Sequence, residues 1–328
     1  MINKVILFVA CSFAFPSFAE DASKQGKEGK NTKEASFIET ISPALENLGD
    51  EPEQPLSISE RAKLSDGLLE QRIRRENATT SNPFVITPHK PNYFLPLAYT
   101  HNPNSRNQSE STLSDESLDS VEFKFQISLK FPVSNNVFNT DTSLWFAYTQ
   151  QAYWQAYNSE ISAPFRDTNH EPEAFLLYEV KGESYFMPKY VSLGINHQSN
   201  GRVEPFSRSW NRIFAEFIFE HENTILSIKP WYRIPEKKKD DDNPNIEKYL
   251  GYGELGVVHV IDDYSIDLMV RNNLRTDNKG AVQLGFTFPV WGKIRGYIQY
   301  FNGYGQSLLD YNNKTQSIGL GVTLTGWL

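Results

Sequence analysis

A chain of 328 residues with a mean hydropathy of -0.50, 22% charged residues and a net charge of -8 reads as water-soluble, yet 13% of it is aromatic. Past the N-terminus no run of about 18 apolar residues occurs. This excludes a helical membrane protein but not a membrane β-barrel, whose strands are apolar on one face only. The acidic balance argues against a nucleic-acid partner.

Residues 1–19 read as a secretory signal peptide, with Lys4 as its positive end, Val5–Phe15 as its apolar stretch and Ser17-Phe18-Ala19 as a small-x-small cleavage site. The sole cysteine, Cys11, lies inside it, so the exported chain is expected to carry no disulfide. Residues 20–90 are a polar leader. Residues 20–57 have no period and are expected to be disordered. Residues 59–76 are expected to form a short helix, with Leu64, Leu68 and Ile73 loosely on one side, either solvated or packed on the end of a barrel. Pro83, Pro88 and Pro91 then break the chain.

Residues 91–328 read as strand, turn, strand, and twelve strands are expected. The first is near Asn92–Thr100. The second, 121–131, has Val121, Phe123, Phe125, Ile127, Leu129 and Phe131 alternating with polar residues. The others are 143–154, 171–180, 187–198, 209–219, 224–233, 249–260, 263–271, 281–288, 293–301 and 316–328. Connections after odd-numbered strands are long and those after even-numbered ones mostly short, as in an outer-membrane barrel. The row opposite the apolar one carries Lys124, Lys130, Asp263, Asp267, Arg271, Lys293 and Arg295, too much charge for a sandwich core. The expected fold is therefore an all-β, twelve-stranded antiparallel transmembrane β-barrel with a polar lumen. An even strand count closes the sheet and removes its edges.

The fifth and sixth strands carry an unusual polar set. His197 and Ser199 continue the outward row of Val191, Leu193 and Ile195, and Asn211 begins the row of Ile213, Ala215 and Phe217. With both termini periplasmic, these residues lie at the extracellular end, facing lipid, where an idle polar group is costly. His197 and Ser199 are two apart on one strand, about 6.5–7 Å between Cα atoms. A base, a nucleophile and an orienting amide can meet there. On spacing alone, ordinary polar residues at the membrane interface explain the pattern equally. The nucleophile elbow G-x-S-x-G is absent. His89, His101, His170, His221 and His259 are scattered and read as structural or solvated.

Asn196-His197-Gln198-Ser199-Asn200-Gly201-Arg202, with Ser207-Arg208-Ser209-Trp210-Asn211-Arg212, resembles the outer-membrane phospholipase A family of Gram-negative bacteria. So do Tyr148-Thr149-Gln150-Gln151, Ser162-Ala163-Pro164-Phe165-Arg166, Lys229-Pro230-Trp231-Tyr232, Asp241-Asp242-Asn243-Pro244 and Gly303-Tyr304-Gly305-Gln306-Ser307-Leu308. The likeness runs from about residue 92 to the end; the penultimate Trp327 and terminal Leu328 depart from the usual terminal aromatic. The resemblance implies a calcium-dependent homodimer that hydrolyses acyl esters of phospholipids and lysophospholipids in the outer membrane. It implies Ser199 as nucleophile, His197 as base, Asn211 as orienting residue and the Gly201 amide as oxyanion donor. It implies Ca2+ on the Ser207 side chain and the Arg202 carbonyl, with Ser162 contributed by the partner subunit. Gln150, a lone amide beyond Leu144, Phe146 and Tyr148, is then expected at the dimer interface. The run Lys237–Lys239 and Asp240–Asp242 is expected to be solvated, the alternative being a second, weaker calcium contact at Asp242. A non-enzymatic porin or transporter fits the strand pattern equally but has no need of the polar trio.

Overall fold

The computed structural model describes residues 67–79, 86–101, 103–104, 118–161, 163–182, 184, 186–292 and 294–326. The signal peptide, most of the leader, Ser162, Lys293, Trp327 and Leu328 lie outside the described residues. Twelve long strands are described: β1 (Asn92–His101), β2 (Val121–Ser134), β3 (Thr142–Trp154), β4 (Phe165–Glu179), β5 (Tyr190–Ser199), β6 (Ser209–His221), β7 (Thr224–Arg233), β8 (Gly253–Ile261), β9 (Tyr264–Asn272), β10 (Gly280–Trp291), β11 (Ile294–Tyr304) and β12 (Lys314–Thr325). Each pairs antiparallel with the next, and β12 pairs back to β1 through Ile318↔Tyr99 and Leu320↔Leu97. The sheet is a closed barrel with no free edge.

Alternation along each strand decides the two faces. Leu97, Ile127, Leu193, Ile195, Ile318 and Leu320 are exposed on the outer wall. Lys124 and Lys130 are buried inside, where Lys124 Nζ donates to Gln299 Oε1 at 2.6 Å. Asp267 is buried there as well, and Arg271 donates inward to the Gly305 carbonyl at 3.0 Å. Asp263 differs from the expectation: it sits in the two-residue turn between β8 and β9, where its carbonyl accepts from Arg295.

The lumen is polar at its middle and apolar towards the external loops. Glu173 is wholly buried and meets three partners: His89 Nε2 at 3.1 Å, Lys90 Nζ at 3.1 Å and Lys229 Nζ at 3.1 Å. Burial pushes the His89 imidazole down, against the pull of Glu173, to which its Nε2 is bonded. Burial also opposes charge on Lys90, but Glu171 and Glu173 outweigh it and hold the ammonium above the ordinary lysine range. Beside this network Trp145, Phe175, Trp210, Phe214 and Trp231 pack with Ile246, Leu250, Leu308 and Tyr311 from the loops.

A helix, α1 (Leu68–Thr79), sits in the other mouth. Leu69 packs with Tyr190, Ile225 and Val258 of the inner wall. Its amide donates to Glu220 Oε1 at 2.7 Å. The helix therefore begins later than residue 59 within the described residues, and it packs inside the barrel end. Glu76 pairs with Lys130 at 2.7 Å and Arg72 at 2.9 Å. Burial would raise its carboxyl, but Lys130 and Arg72 together hold it below its ordinary 4.5. A carboxyl depressed on folding stabilises above its unfolded pKa, and this is lost as pH falls through the folded value. Acidification from pH 6 to below 4 is therefore expected to loosen α1. A lower protection factor for the amides of 67–79 at low pH, the slower intrinsic exchange in acid being divided out, is the measurement, and Glu76→Gln is expected to remove its pH dependence.

Most strand bounds lie within three residues of the expected ones, and two starts moved further. β4 begins at Phe165, six residues before the expected start. Its first turns read Arg166, Asp167, Thr168, Asn169 and His170, which give no apolar row because both faces there are polar. β8 begins at Gly253, because Glu247–Leu250 form a helical turn that seats Leu250 in the lumen cluster.

Candidate active site

β5 and β6 pair in the register that matters, Asn196↔Arg212, His197↔Asn211 and Ser199↔Ser209. Asn196 and Arg212 point inward and are buried; their neighbours His197 and Asn211 therefore point outward. His197 Nδ1 lies 2.8 Å from Asn211 Oδ1. Asn211 Nδ2 donates to Glu236 Oε1 at 2.8 Å. A carboxylate only accepts, so the amide nitrogen must face Glu236 and the amide oxygen must face the imidazole. Nδ1 then carries the proton and Nε2 keeps its lone pair. Ser199, two residues further along the same face, is half-buried at the end of β5.

The loop 200–208 is built around buried Asn200. Its Oδ1 accepts from the Arg208 amide at 2.9 Å, and its Nδ2 donates to the Phe206 carbonyl at 3.0 Å. Gly201 follows with φ 64°, a left-handed conformation that favours glycine, and it is exposed at the mouth. Arg202 ties the loop to β4, donating to the Arg166 carbonyl at 2.6 Å. Ser207 Oγ donates to Asp242 Oδ2 at 2.5 Å. No cluster of three His, Cys, Asp or Glu occurs among the described residues. A serine hydroxyl and a carboxylate meet here, hard oxygen donors of the kind a calcium ion takes.

The acidic half of the run 237–242 is an anchor. Asp241 pairs with Arg233 at 2.6 Å, and Asn243, completely buried, accepts from the Ser209 amide at 3.0 Å. Asp240, by contrast, is solvated and only 3.8 Å from Lys239.

Of the residues named from sequence, His197 and Asn211 are in contact, Ser199 and Gly201 adjoin them, and Ser207 meets Asp242. Gln150 lies on the outer wall of β3, across from His170. His170 differs from the scattered histidines it was grouped with: it stands across from Ser199 on the other side and holds Tyr148 Oη at 2.6 Å through Nδ1. Glu236 was missed altogether. It precedes a charge run without period, and only the folded loop brings it to Asn211.

A family profile described as phospholipase A1 matches residues 69–324. Phospholipase A1 of Salmonella typhimurium is 38% identical over 245 residues, 74% of this chain and 82% of that protein. Its Escherichia coli K12 counterpart is 37% identical over the same shares. Among solved structures, outer membrane phospholipase A from Escherichia coli superposes with a TM-score of 0.71 at 35% identity, covering 75% of this chain and 94% of that one. A Salmonella typhi outer membrane phospholipase dimer with bound calcium gives 0.70 at 36% identity, over 75% and 94%.

Proposed function

Because this chain belongs to the phospholipase A1 family of the bacterial outer membrane, we propose that it cleaves phospholipid and lysophospholipid acyl esters with Ser199, His197 and Asn211, as a calcium-dependent dimer. The carrying observation is the 2.8 Å contact of His197 Nδ1 with Asn211 Oδ1 on the outer wall, beside Ser199. The β5–β6 connection lies on the same side as the long β1–β2 and β7–β8 connections, which mark the extracellular side, so the site faces the outer leaflet.

Ser199 Oγ attacks the ester carbonyl carbon while its proton passes to His197 Nε2. Asn211 holds the protonated ring through Nδ1–H. The tetrahedral oxygen accepts from the Gly201 amide. The bond to the glycerol oxygen breaks, and His197 returns the proton to the departing alcohol. Water then repeats the sequence on the acyl-serine, releasing the fatty acid and restoring Ser199. When bound, calcium supplies positive charge beside the developing oxyanion. Ser207 through its hydroxyl and Arg202 through its carbonyl would hold it, with Ser162 of the partner subunit and an additional contact at Asp242. Gln150 would meet its own copy across the dimer. The division into signal peptide 1–19, leader 20–90 and barrel 91–328 completes the reading.

The test is fatty-acid release from phosphatidylcholine in detergent micelles, with calcium and with a chelator, alongside sedimentation of the protein–detergent complex. Calcium is expected to give a dimer and steady hydrolysis, and the chelator to lower the rate by about a hundredfold or more. Ser207→Ala is expected to shift the calcium requirement upward. Equal rates with and without chelator would refute the metal. A fully active monomer would refute the dimer.

A further inference from the structure

A neutral amide is a weak third member for a triad. It stabilises an imidazolium less than a carboxylate does, and it can turn over. Turned, it would offer N–H2 to His197 Nδ1, which would then hold the lone pair. The proton would sit on Nε2, and Ser199 would lose its acceptor. Something must fix which end of Asn211 faces the ring.

We propose that Glu236 does this, as a positioning residue at the far end of the hydrogen-bonded line His197, Asn211, Glu236 that backs Ser199. This rests on the triad reading given above. Glu236 Oε1 accepts from Asn211 Nδ2 at 2.8 Å, while Asn211 Oδ1 is 2.8 Å from His197 Nδ1. The turned amide would set an oxygen against the carboxylate, so Glu236 excludes it.

The placement of Glu236 is built into the fold. The Ile234 amide donates to the Asn211 carbonyl at 2.8 Å, which continues the β6–β7 pairing past the end of β7. Further along, the loop is held by Arg233 with Asp241 at 2.6 Å, by Ser207 with Asp242, and by the Ser209 amide with Asn243 Oδ1 at 3.0 Å. Glu236 thus comes from a segment fixed on both sides, with one tie to Ser207 of the proposed calcium loop and one to Ser209 just beyond it.

The experiment compares wild type, Glu236→Ala, Glu236→Gln, Asn211→Ala and the Glu236→Ala/Asn211→Ala pair, with Ser199→Ala as control. Each is assayed on phosphatidylcholine micelles at saturating calcium, and folding is checked by the heat-dependent gel mobility of an intact barrel. Glu236→Ala is expected to lower kcat by about tenfold or more, with KM unchanged within about twofold. Glu236→Gln, which keeps an acceptor without the charge, is expected to recover part of that loss. In the Asn211→Ala background, removal of Glu236 is expected to change kcat by less than about twofold, because Glu236 acts through Asn211. A Glu236→Ala enzyme with wild-type kcat overturns the proposal, as does a loss that multiplies with that of Asn211→Ala. Hydrolysis surviving in Ser199→Ala overturns the triad reading itself, a separate outcome.

Discussion

Ser199→Ala is expected to abolish hydrolysis, with kcat falling on the order of 10⁴ to 10⁶-fold. In the proposed mechanism the other groups act on the oxygen that Ser199 supplies, so without it neither His197 nor the oxyanion donors would have a covalent intermediate to serve. The change removes one hydroxyl from a half-buried position at the end of β5, so barrel mobility on gels and the calcium-induced dimer are expected to persist. Asn211→Ala is expected to cost less, because His197 keeps its place on β5 and loses only its orientation. Rates of fatty-acid release and labelling of the serine by a long-chain sulfonyl fluoride separate the two variants. A Ser199→Ala protein that still hydrolyses phospholipid would move the nucleophile elsewhere.

The largest expected effect on stability comes from Glu173→Ala. Glu173 has no solvent-exposed side-chain surface and is shared by His89, Lys90 and Lys229. Removing it leaves two buried ammonium groups with fewer counter-charges, which costs about 3–5 kcal/mol when a buried ion pair is broken from one side. Lys90 keeps Glu171 at 2.9 Å, so the lower part of that range is expected. Lys229 keeps the Phe214 ring, 4.1 Å from its ammonium, and the charge of Glu171. Glu173→Gln retains the hydrogen-bond acceptor and is expected to lose less. The readout is the urea midpoint of barrel unfolding, followed by tryptophan emission from Trp145, Trp210 and Trp231. An unchanged midpoint for Glu173→Ala would show that the network contributes nothing net.

The sequence made the barrel legible because a lipid-facing wall demands strict alternation, as in Phe123 to Phe131, and the structure puts that row outside. The start of β4 was illegible for the opposite reason. Around His170 the outer wall turns polar beside the site, and the period-two signal disappears. His197, Ser199 and Asn211 were found because they are polar residues at the ends of apolar rows, where alternation fixes their direction. Glu236 and Asn243 carry no such mark. They belong to a loop, and their partners Asn211 and Ser209 lie 25 and 34 residues away in the chain. The lumen was legible in sign but not in contact. Charge at Lys124, Lys130 and Asp267 foretold a polar interior, whereas the meeting of Glu76 with Lys130 depends on a helix whose docking no periodicity reveals.

With α1 in one mouth and the tryptophan-lined cluster beneath the loops at the other, a chamber lined by charged side chains runs between them. Glu171, Glu173 and Lys90 are thereby kept apart from the lipid that the outer wall meets. The barrel is in this sense a protein turned inside out, with its hydrophilic chemistry at the centre and its oily residues on the rind.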